Sequence, residues 1–312
     1  MIDFVGKRKI FFIISIALVA VTLLGSLFLG LNLDIQYKGG TMLTYSYTGD
    51  INKDDFLSKV QEVVGGSAAI QESSDLATGS TNLVVSLAST SGLSADKQVE
   101  LTDALSQTFA ANNIHTESIS NVNASIGREF FLKSLVAVLF AAIVMVVYIG
   151  FRFKRISGWS AGVMAVIALV HDIIAVVAVF VFFRLSVDAN FMAVVLTILG
   201  YSINDTIVIY DRIRENRRIY GQKLPVGELV NKSINQSMKR AIVTTVTTVM
   251  ALVVIAVVTL IFNVTSIVTF VFPLIIGLLS GTYSSVCLVP CMWVMWQEYR
   301  AKKAQQPDAK KK

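Results

Sequence analysis

The sequence predicts a polytopic α-helical membrane protein, with six transmembrane helices and an α+β, ferredoxin-like domain between the first helix and the second. Three observations carry this prediction. Of 312 residues, 54% are hydrophobic and the mean hydropathy is +0.66, outside the range of ordinary soluble domains. The apolar residues gather into long runs of about 20 residues or more, the length that crosses roughly 30 Å of hydrocarbon as a helix. Between the first and second runs lies one long polar stretch rich in Ser, Thr, Asn and Asp, without cysteine.

The apolar runs fall at Ile10–Leu31, Leu132–Phe151, Ile156–Phe183, Asn190–Tyr210, Ala241–Phe262 and Ile267–Trp296. The third and last are long, so they are expected to tilt or to extend past the bilayer. The first exceeds the core of a signal peptide and has no Ala-x-Ala exit, so it is expected to persist as an anchor. This divides the chain into a first helix at 10–31, a polar domain at 32–128, five further helices over 129–296 with a loop at 211–240, and a basic tail at 297–312. Within the polar domain, Thr41–Tyr47 alternates like a strand and Lys53–Val64 has helical spacing. Ala68–Ser73 and Asn82–Leu87 read as strands, Ser94–Ala111 as a helix with Ser94 as N-cap, and Ile114–Val122 as a last strand. The order βαββαβ is that of the split βαβ, ferredoxin-like arrangement.

Lys and Arg set the expected orientation. Lys7, Arg8 and Lys9 sit at the amino end, and Arg152, Lys154 and Arg155 in the turn between the second and third runs. Eight more lie between 212 and 240 and six in the tail, which accounts for 20 of the 27 basic residues. The opposite short connections hold only Arg184. Both termini are therefore expected in the cytoplasm and the polar domain outside, in a multi-pass protein of the cell membrane. The net charge of +6 reads as this topology signal rather than as a nucleic-acid site, with affinity for anionic lipid or ribosomal RNA as a minor alternative. Cys287 and Cys291, four apart on one helix, read as packing residues without metal partners. There is no Ser/His/Asp set, metal cluster or phosphate loop, and the chain reads as a non-enzyme. His115, with no nucleophile nearby, reads as a surface or strand histidine.

Polar groups inside the spans stand out. Asp205, beside Asn204, lies in the fourth run. A charge in hydrocarbon costs at least a few kcal/mol (roughly 2.5–3.5 on insertion scales), so such residues usually serve proton or ion pathways. A structural carboxylate bonded between helices is the alternative. At 1.5 Å per residue Asp205 lies roughly 9 Å inside the border marked by Asp211. Arg240, Thr244 and Thr247 or Thr248 share one face of the fifth run, with Thr244 and Thr248 at roughly 6 and 12 Å by the same rise. Asp205 and this stripe are expected to share a level. For the threonines, helix packing competes evenly with a pathway role; for Arg240 the competitor is a positive-inside anchor. His171 and Asp172, mid-helix in the third run, read as a packing or support pair, with a second relay as the other possibility. Gly277 and Gly281 form a G-x-x-x-G pair that permits close helix approach.

Several runs, in order, resemble one family. Gly200 to Asn216, GYSINDTIVIYDRIREN, is similar to the fourth-span signature of the SecF family of bacterial protein-export membrane proteins. Asp34 to Thr41, ending in Gly39, Gly40 and Thr41, resembles the segment after that family's first span. Val170-His171-Asp172 resembles its third-span motif, Arg240 to Thr248 its fifth, and Gly281-Thr282-Tyr283-Ser284-Ser285 its sixth. Ala241 stands where the family usually has Thr. The resemblance implies half of a bundle of the RND superfamily, paired with a SecD partner and docked to the SecYEG channel, with YajC or YidC as further candidates. It implies a role in late export of preproteins, gripped at the outside domain and driven by the proton-motive force. No bound cofactor is called for; the proton is the implied coupling ion, with sodium left open. Carried over by position, Asp205 matches the fourth-span acid and Arg240 the fifth-span basic residue linked to proton movement. A small-molecule exporter half and a non-transporting scaffold are the competing functions.

Overall fold

The structure, a computed structural model, describes residues 1–304 apart from 67, 75–80, 89–92, 123, 222 and 263–264. Residues 305–312 of the expected tail thus lie outside the described residues. Among the described residues, six helical stretches are long and apolar enough to cross a membrane.

The first is α1 (Arg8–Leu29), ended by Gly30 at φ +72°. A one-turn helix, α2 (Ile35–Lys38), follows; the Asp34 carboxylate caps it by accepting from the Gln36 N–H at 2.9 Å. The polar domain then runs β1 (Gly40–Tyr47), α3 (Lys53–Val64), β2 (Ala68–Ser74), β3 (Thr81–Ala88), α4 (Ala95–Thr108) and β4 (His115–Val122). The sheet order is β2-β3-β1-β4, with every neighbouring pair antiparallel. Alternation explains its core. Thr41, Leu43 and Tyr45 of β1 stand opposite Leu87, Val85 and Leu83 of β3, all on one buried face. Phe56 and Val60 of α3, and Leu101 and Leu105 of α4, each four apart, cover that face. Ser94 occupies the N-cap of α4 as expected, but its hydroxyl makes no capping bond; only its carbonyl is used, by the Gln98 N–H. His115 is an exposed residue of β4.

Gly39, Gly40 and Thr41 join the bundle to the sheet. Gly39 closes α2 at φ +82°. Gly40 has φ +147°, and a Cβ there would lie 2.1 Å from the Leu87 carbonyl oxygen. Thr41 is fully buried; its hydroxyl donates to Asn121 Oδ1 at 2.6 Å and accepts from the Leu93 N–H at 2.7 Å. Gly40→Ala is expected to destabilise this domain by about 2 kcal/mol or more, from backbone strain and the clash together. Thermal unfolding of the purified chain checks it, and an unchanged transition would contradict the account.

The remaining spans are α5 (Ala124–Arg152), α6 (Gly158–Phe182), α7 (Ala189–Tyr220), α8 (Val226–Ile261) and a final stretch of α9 (Thr265–Tyr283), a π-helical turn (Ser284–Leu288) and α10 (Val289–Ala304). The helices α6 and α7 are the buried pair, whereas α1, α5 and α8 present apolar faces outward. At one end of the bundle the connections interlock. The Asp34 N–H donates to the Val187 carbonyl at 3.0 Å, the Val187 N–H to the Asn32 carbonyl at 2.7 Å, and the Tyr37 hydroxyl to the Asp188 carbonyl at 2.9 Å. Burial pushes the Asp188 carboxyl above the usual carboxylate range, and nearby Asp34 acts in the same direction.

At the other end, the expected loop at 211–240 is helical except for a short connection. The helix α7 runs on to Tyr220, stops at Gly221 (φ +60°), and α8 begins after Pro225. The physical reason is that this segment has its own partners. Asp211 pairs with Arg214 at 2.6 Å and Arg212 with Glu215 at 2.5 Å. The Asn216 amide donates to Ser233 and Gln236, both at 2.8 Å. The amino-terminal residues lie across the same extension: the Ile2 and Phe4 N–H groups donate to the Asn235 and Asn231 side chains, both at 2.8 Å. The tail is likewise helical through Ala304, tied to the amino end by an Arg8–Glu298 ion pair at 3.0 Å.

Candidate functional site

Asp205 is 3% exposed and lies on the buried face of α7. Its one direct hydrogen-bonding neighbour among the described residues is Thr282 of α9, whose hydroxyl approaches Oδ2 at a long 3.4 Å. Thr282 in turn contacts Thr245 of α8, hydroxyl to hydroxyl, at 2.5 Å. The Tyr201 hydroxyl reaches Thr245 and Thr248, each at 3.5 Å. Arg240 is exposed yet close enough for its charge to act on Asp205. It borders a cleft of about 360 Å³ together with Asp211 and Gln236.

The structure therefore corrects the expected stripe. Thr245, 3% exposed, is the residue of α8 that faces the site. Thr244 is half-buried and its hydroxyl turns back to the Arg240 carbonyl at 2.8 Å; Thr247 is exposed and bonds its own helix. Thr248 bonds back to the Thr244 carbonyl and, among the described residues, touches the site through Tyr201. A spacing argument fixes which residues share a face but not which face turns inward, and α8 is rotated by about one residue, roughly 100°, from the expected setting. Asn204, one residue from Asp205, is exposed and stands apart from the cluster.

Asp172 is the better-connected carboxylate. It is fully buried on α6 and accepts from three serines: Ser202 of α7 at 2.9 Å, Ser280 of α9 at 2.8 Å and Ser284 of the π turn at 2.8 Å. His171 Nδ1 is the fourth partner, at 3.2 Å. Four donors match the acceptor sites of an ionised carboxylate. Ser285 extends this network, contacting Thr206 at 2.9 Å and donating to the Ser202 carbonyl at 3.0 Å.

The π turn makes this possible. The Val289 N–H reaches back five residues to the Ser284 carbonyl, and Pro290 has no N–H with which to bond Val286 in α-helical register. The widened turn lets the consecutive Ser284 and Ser285 both face inward, fully buried, while Thr282 faces Asp205. Gly277 and Gly281 bring α9 against α7: a Cβ at Gly277 would lie 1.9 Å from Ile198 Cδ1, and one at Gly281 would lie 3.0 Å from Ser202 Cβ. Sequence reasoning missed Ser202, Thr206, Thr245, Ser280, Thr282, Ser284 and Ser285 as members of the site. The signal was present in the run 281–285, where three of five residues in an apolar span carry small hydroxyls.

The two carboxylates thus differ in kind. Asp172 is held by four polar partners contributed by α6, α7, α9 and the π turn. Asp205, among the described residues, is engaged by the one long contact from Thr282.

This arrangement has known relatives. Residues 101–299, which include every residue of both carboxylate clusters, match the family model described as protein export membrane protein SecD/SecF, C-terminal. The protein translocase subunit SecF of Endomicrobium trichonymphae is 32% identical over 236 residues, covering 75% of this chain and 72% of that one. The SecF subunit of Pseudomonas aeruginosa is 33% identical over 223 residues, covering 70% and 68%. Among solved structures, SecDF from Thermus thermophilus, a translocon-associated membrane protein, superposes with a TM-score of 0.78 at 28% identity, covering 95% of this chain. The super-membrane-facing form of SecDF gives 0.69 at 28% identity over 97%. The chain spans only 39–40% of those SecDF chains. From the family match and the SecF relatives together, this chain belongs to the SecD/SecF family of protein-export membrane proteins.

Proposed function

We propose that this chain is a SecF-type accessory subunit of the Sec export machinery, and that the proton-motive force acts on it through Asp205. It assists the translocation of preproteins across the cytoplasmic membrane and works beside a SecD partner at the SecYEG channel. The observation that carries the coupling role is the contrast between the two buried carboxylates. One is satisfied by four donors, and the other is held by a single long contact with a cation within electrostatic range. A small movement of α8 or α9 alters the surroundings of Asp205 and so its hold on a proton. Asp205, Thr282, Thr245 and Arg240 are the residues assigned to this role, with Thr248 reaching it through Tyr201.

The ferredoxin-like domain is placed outside the cell and both termini in the cytoplasm, supported by the basic residues that gather at one end of the bundle. A cysteine at exposed Lys97 is then expected to react with a membrane-impermeant maleimide in intact cells, and one at exposed Lys223 only after the membrane is opened. The native Cys287 and Cys291 are buried and give little background. Labelling of position 223 in intact cells would reverse the orientation. The function itself is tested by preprotein translocation into inverted membrane vesicles with this chain present or removed. A gradient-dependent component that is the same in both would remove the reading.

A further inference from the structure

A pocket of about 610 Å³ lies between the turn that joins α5 to α6 (Lys154–Ile156) and the extension of α7 beyond Asp211. Ile156 borders it from the turn, and Asp211, Arg214, Glu215, Arg217 and Arg218 border it from α7. Of these, Asp211 and Glu215 also border the cleft beside Arg240, while the three arginines do not.

The charges around this pocket do not balance. Both acids are already engaged: Asp211 by Arg214 at 2.6 Å and by Arg152 at 3.3 Å, and Glu215 by Arg212 at 2.5 Å. Arg152 and Arg214 also lie over the Phe153 ring, at 5.4 and 5.9 Å. Arg217 and Arg218 are exposed, and among the described residues their guanidinium groups make no hydrogen bond or ion pair. Two cations in the last turn of α7 complement its dipole. That role uses their charge but leaves their N–H donors without a protein acceptor, at the rim of a pocket open to solvent.

The level of the pocket selects the anion. From Ala189 to Tyr210 α7 covers about 33 Å at 1.5 Å per residue, enough for the roughly 30 Å of hydrocarbon. Arg214 then lies roughly 5 Å past Asp211, and Arg217 and Arg218 roughly 9–11 Å past it. That is the headgroup layer and its outer edge, and the long arginine stems bring the guanidinium groups back into it. Exposed Phe151 and Trp159, edge to face at 5.8 Å, mark the same border as an aromatic belt does. The Lys154 ammonium adds a cation there, over the Phe151 ring at 4.6 Å. The abundant anion at this level is lipid phosphate, and guanidinium groups take phosphate oxygens in paired hydrogen bonds. We propose that this pocket binds the headgroup of an anionic phospholipid, with its phosphate held by Arg217 and Arg218. The site needs only a membrane-spanning chain, and it stands whether or not Asp205 carries protons.

The test takes the full chain from its membrane in a mild detergent, adds phosphatidylglycerol and phosphatidylcholine in equal amounts, and counts bound lipid by native mass spectrometry. Phosphatidylglycerol is expected to be retained in preference. The retained fraction is expected to fall about fivefold to tenfold when Arg217→Gln and Arg218→Gln are combined. Lys7→Gln with Lys9→Gln removes the same charge from exposed lysines at the same end of the bundle, and is expected to change it less than about twofold. Arg217→Lys with Arg218→Lys keeps both charges and loses the planar forks, and is expected to fall between. That pair carries the test if the glutamine pair fails to fold, and full retention by it would overturn the assignment to the guanidinium groups. Inorganic phosphate and a short RNA, each added as competitor, are expected to leave the bound lipid in place; displacement by either would assign the pocket to a soluble anion and overturn the proposal. Equal retention of the two lipids, or an equal loss in the Arg217/Arg218 and Lys7/Lys9 glutamine pairs, would overturn it as well.

Discussion

Asp205→Asn is expected to abolish most of the gradient-dependent component of preprotein translocation, while translocation driven by ATP at the channel continues. Asn is nearly isosteric and still accepts from Thr282 through its carbonyl oxygen, so the fold survives. What it loses is the proton equilibrium, because the amide is fixed in a neutral form. The surroundings argue for a functional rather than a structural loss: a side chain holding one hydrogen-bond contact of 3.4 Å gains little stability from hydrogen bonding, and the nearly isosteric amide keeps its packing. Arg240→Lys is expected to be milder. Among the described residues Arg240 makes no hydrogen bond or ion pair with Asp205 and acts on it through its charge, so the charge matters more than the guanidinium fork. Thr282→Val removes the direct hydroxyl partner and is expected to fall between these two. The measurement is translocation into inverted vesicles, with and without a proton gradient, at matched amounts of chain. Full retention of the gradient-dependent component in Asp205→Asn would make Asp205 a structural residue and end the coupling argument.

Asp172→Ala is expected to have the larger effect on stability. Removing the carboxylate strands the buried Ser202 and Ser284 hydroxyls, the half-buried Ser280 hydroxyl and His171 Nδ1, contributed by α6, α7, α9 and the π turn. Each buried group left without a partner costs about 1–3 kcal/mol, partly relieved where a hydroxyl rotates to a backbone carbonyl. Ser284 has such an alternative in the Gly281 carbonyl at 3.1 Å. The net loss is expected at about 3–5 kcal/mol, the range for breaking a buried charged cluster by removing one partner. Poor accumulation in membranes and early aggregation on heating in detergent are the readouts. Asp172→Asn, which keeps one strong acceptor, is expected to lose less. A Thr206→Val change at the edge of the network is expected to lose least, since it removes a single contact to Ser285. An Asp172→Ala chain as stable as the parent would mean that the serine cluster does not hold the helices.

Much of the architecture was legible before any coordinates. Six apolar runs gave six candidate spans because the hydrocarbon thickness dictates their length. The strands and helices of the polar domain were readable from alternation and from i, i+4 spacing, with boundaries within a few residues, because one buried face imposes each period. The polar stretch at 211–240, expected as a loop between spans, is largely helical. Its charged surface hid a helix stabilised by Asp211–Arg214 and by Asn216 reaching across to Ser233 and Gln236. Hydropathy locates where a helix leaves the hydrocarbon, not where it ends.

For the site, the sequence by itself determined that carboxylates occur inside spans, that hydroxyls cluster in 281–285, and that Gly277 and Gly281 permit a close helix approach, though not by which helix. Those facts follow from residue type and spacing, which are local. Only the tertiary structure decided the pairing: that Thr245 rather than Thr244 faces Asp205, that three serines converge on Asp172, and that His171 keeps one nitrogen without a donor. The rotation of each helix about its own axis is set by packing against several neighbours at once, and a one-residue slip at the π turn, roughly 100° of rotation, decides which hydroxyl meets which carboxylate.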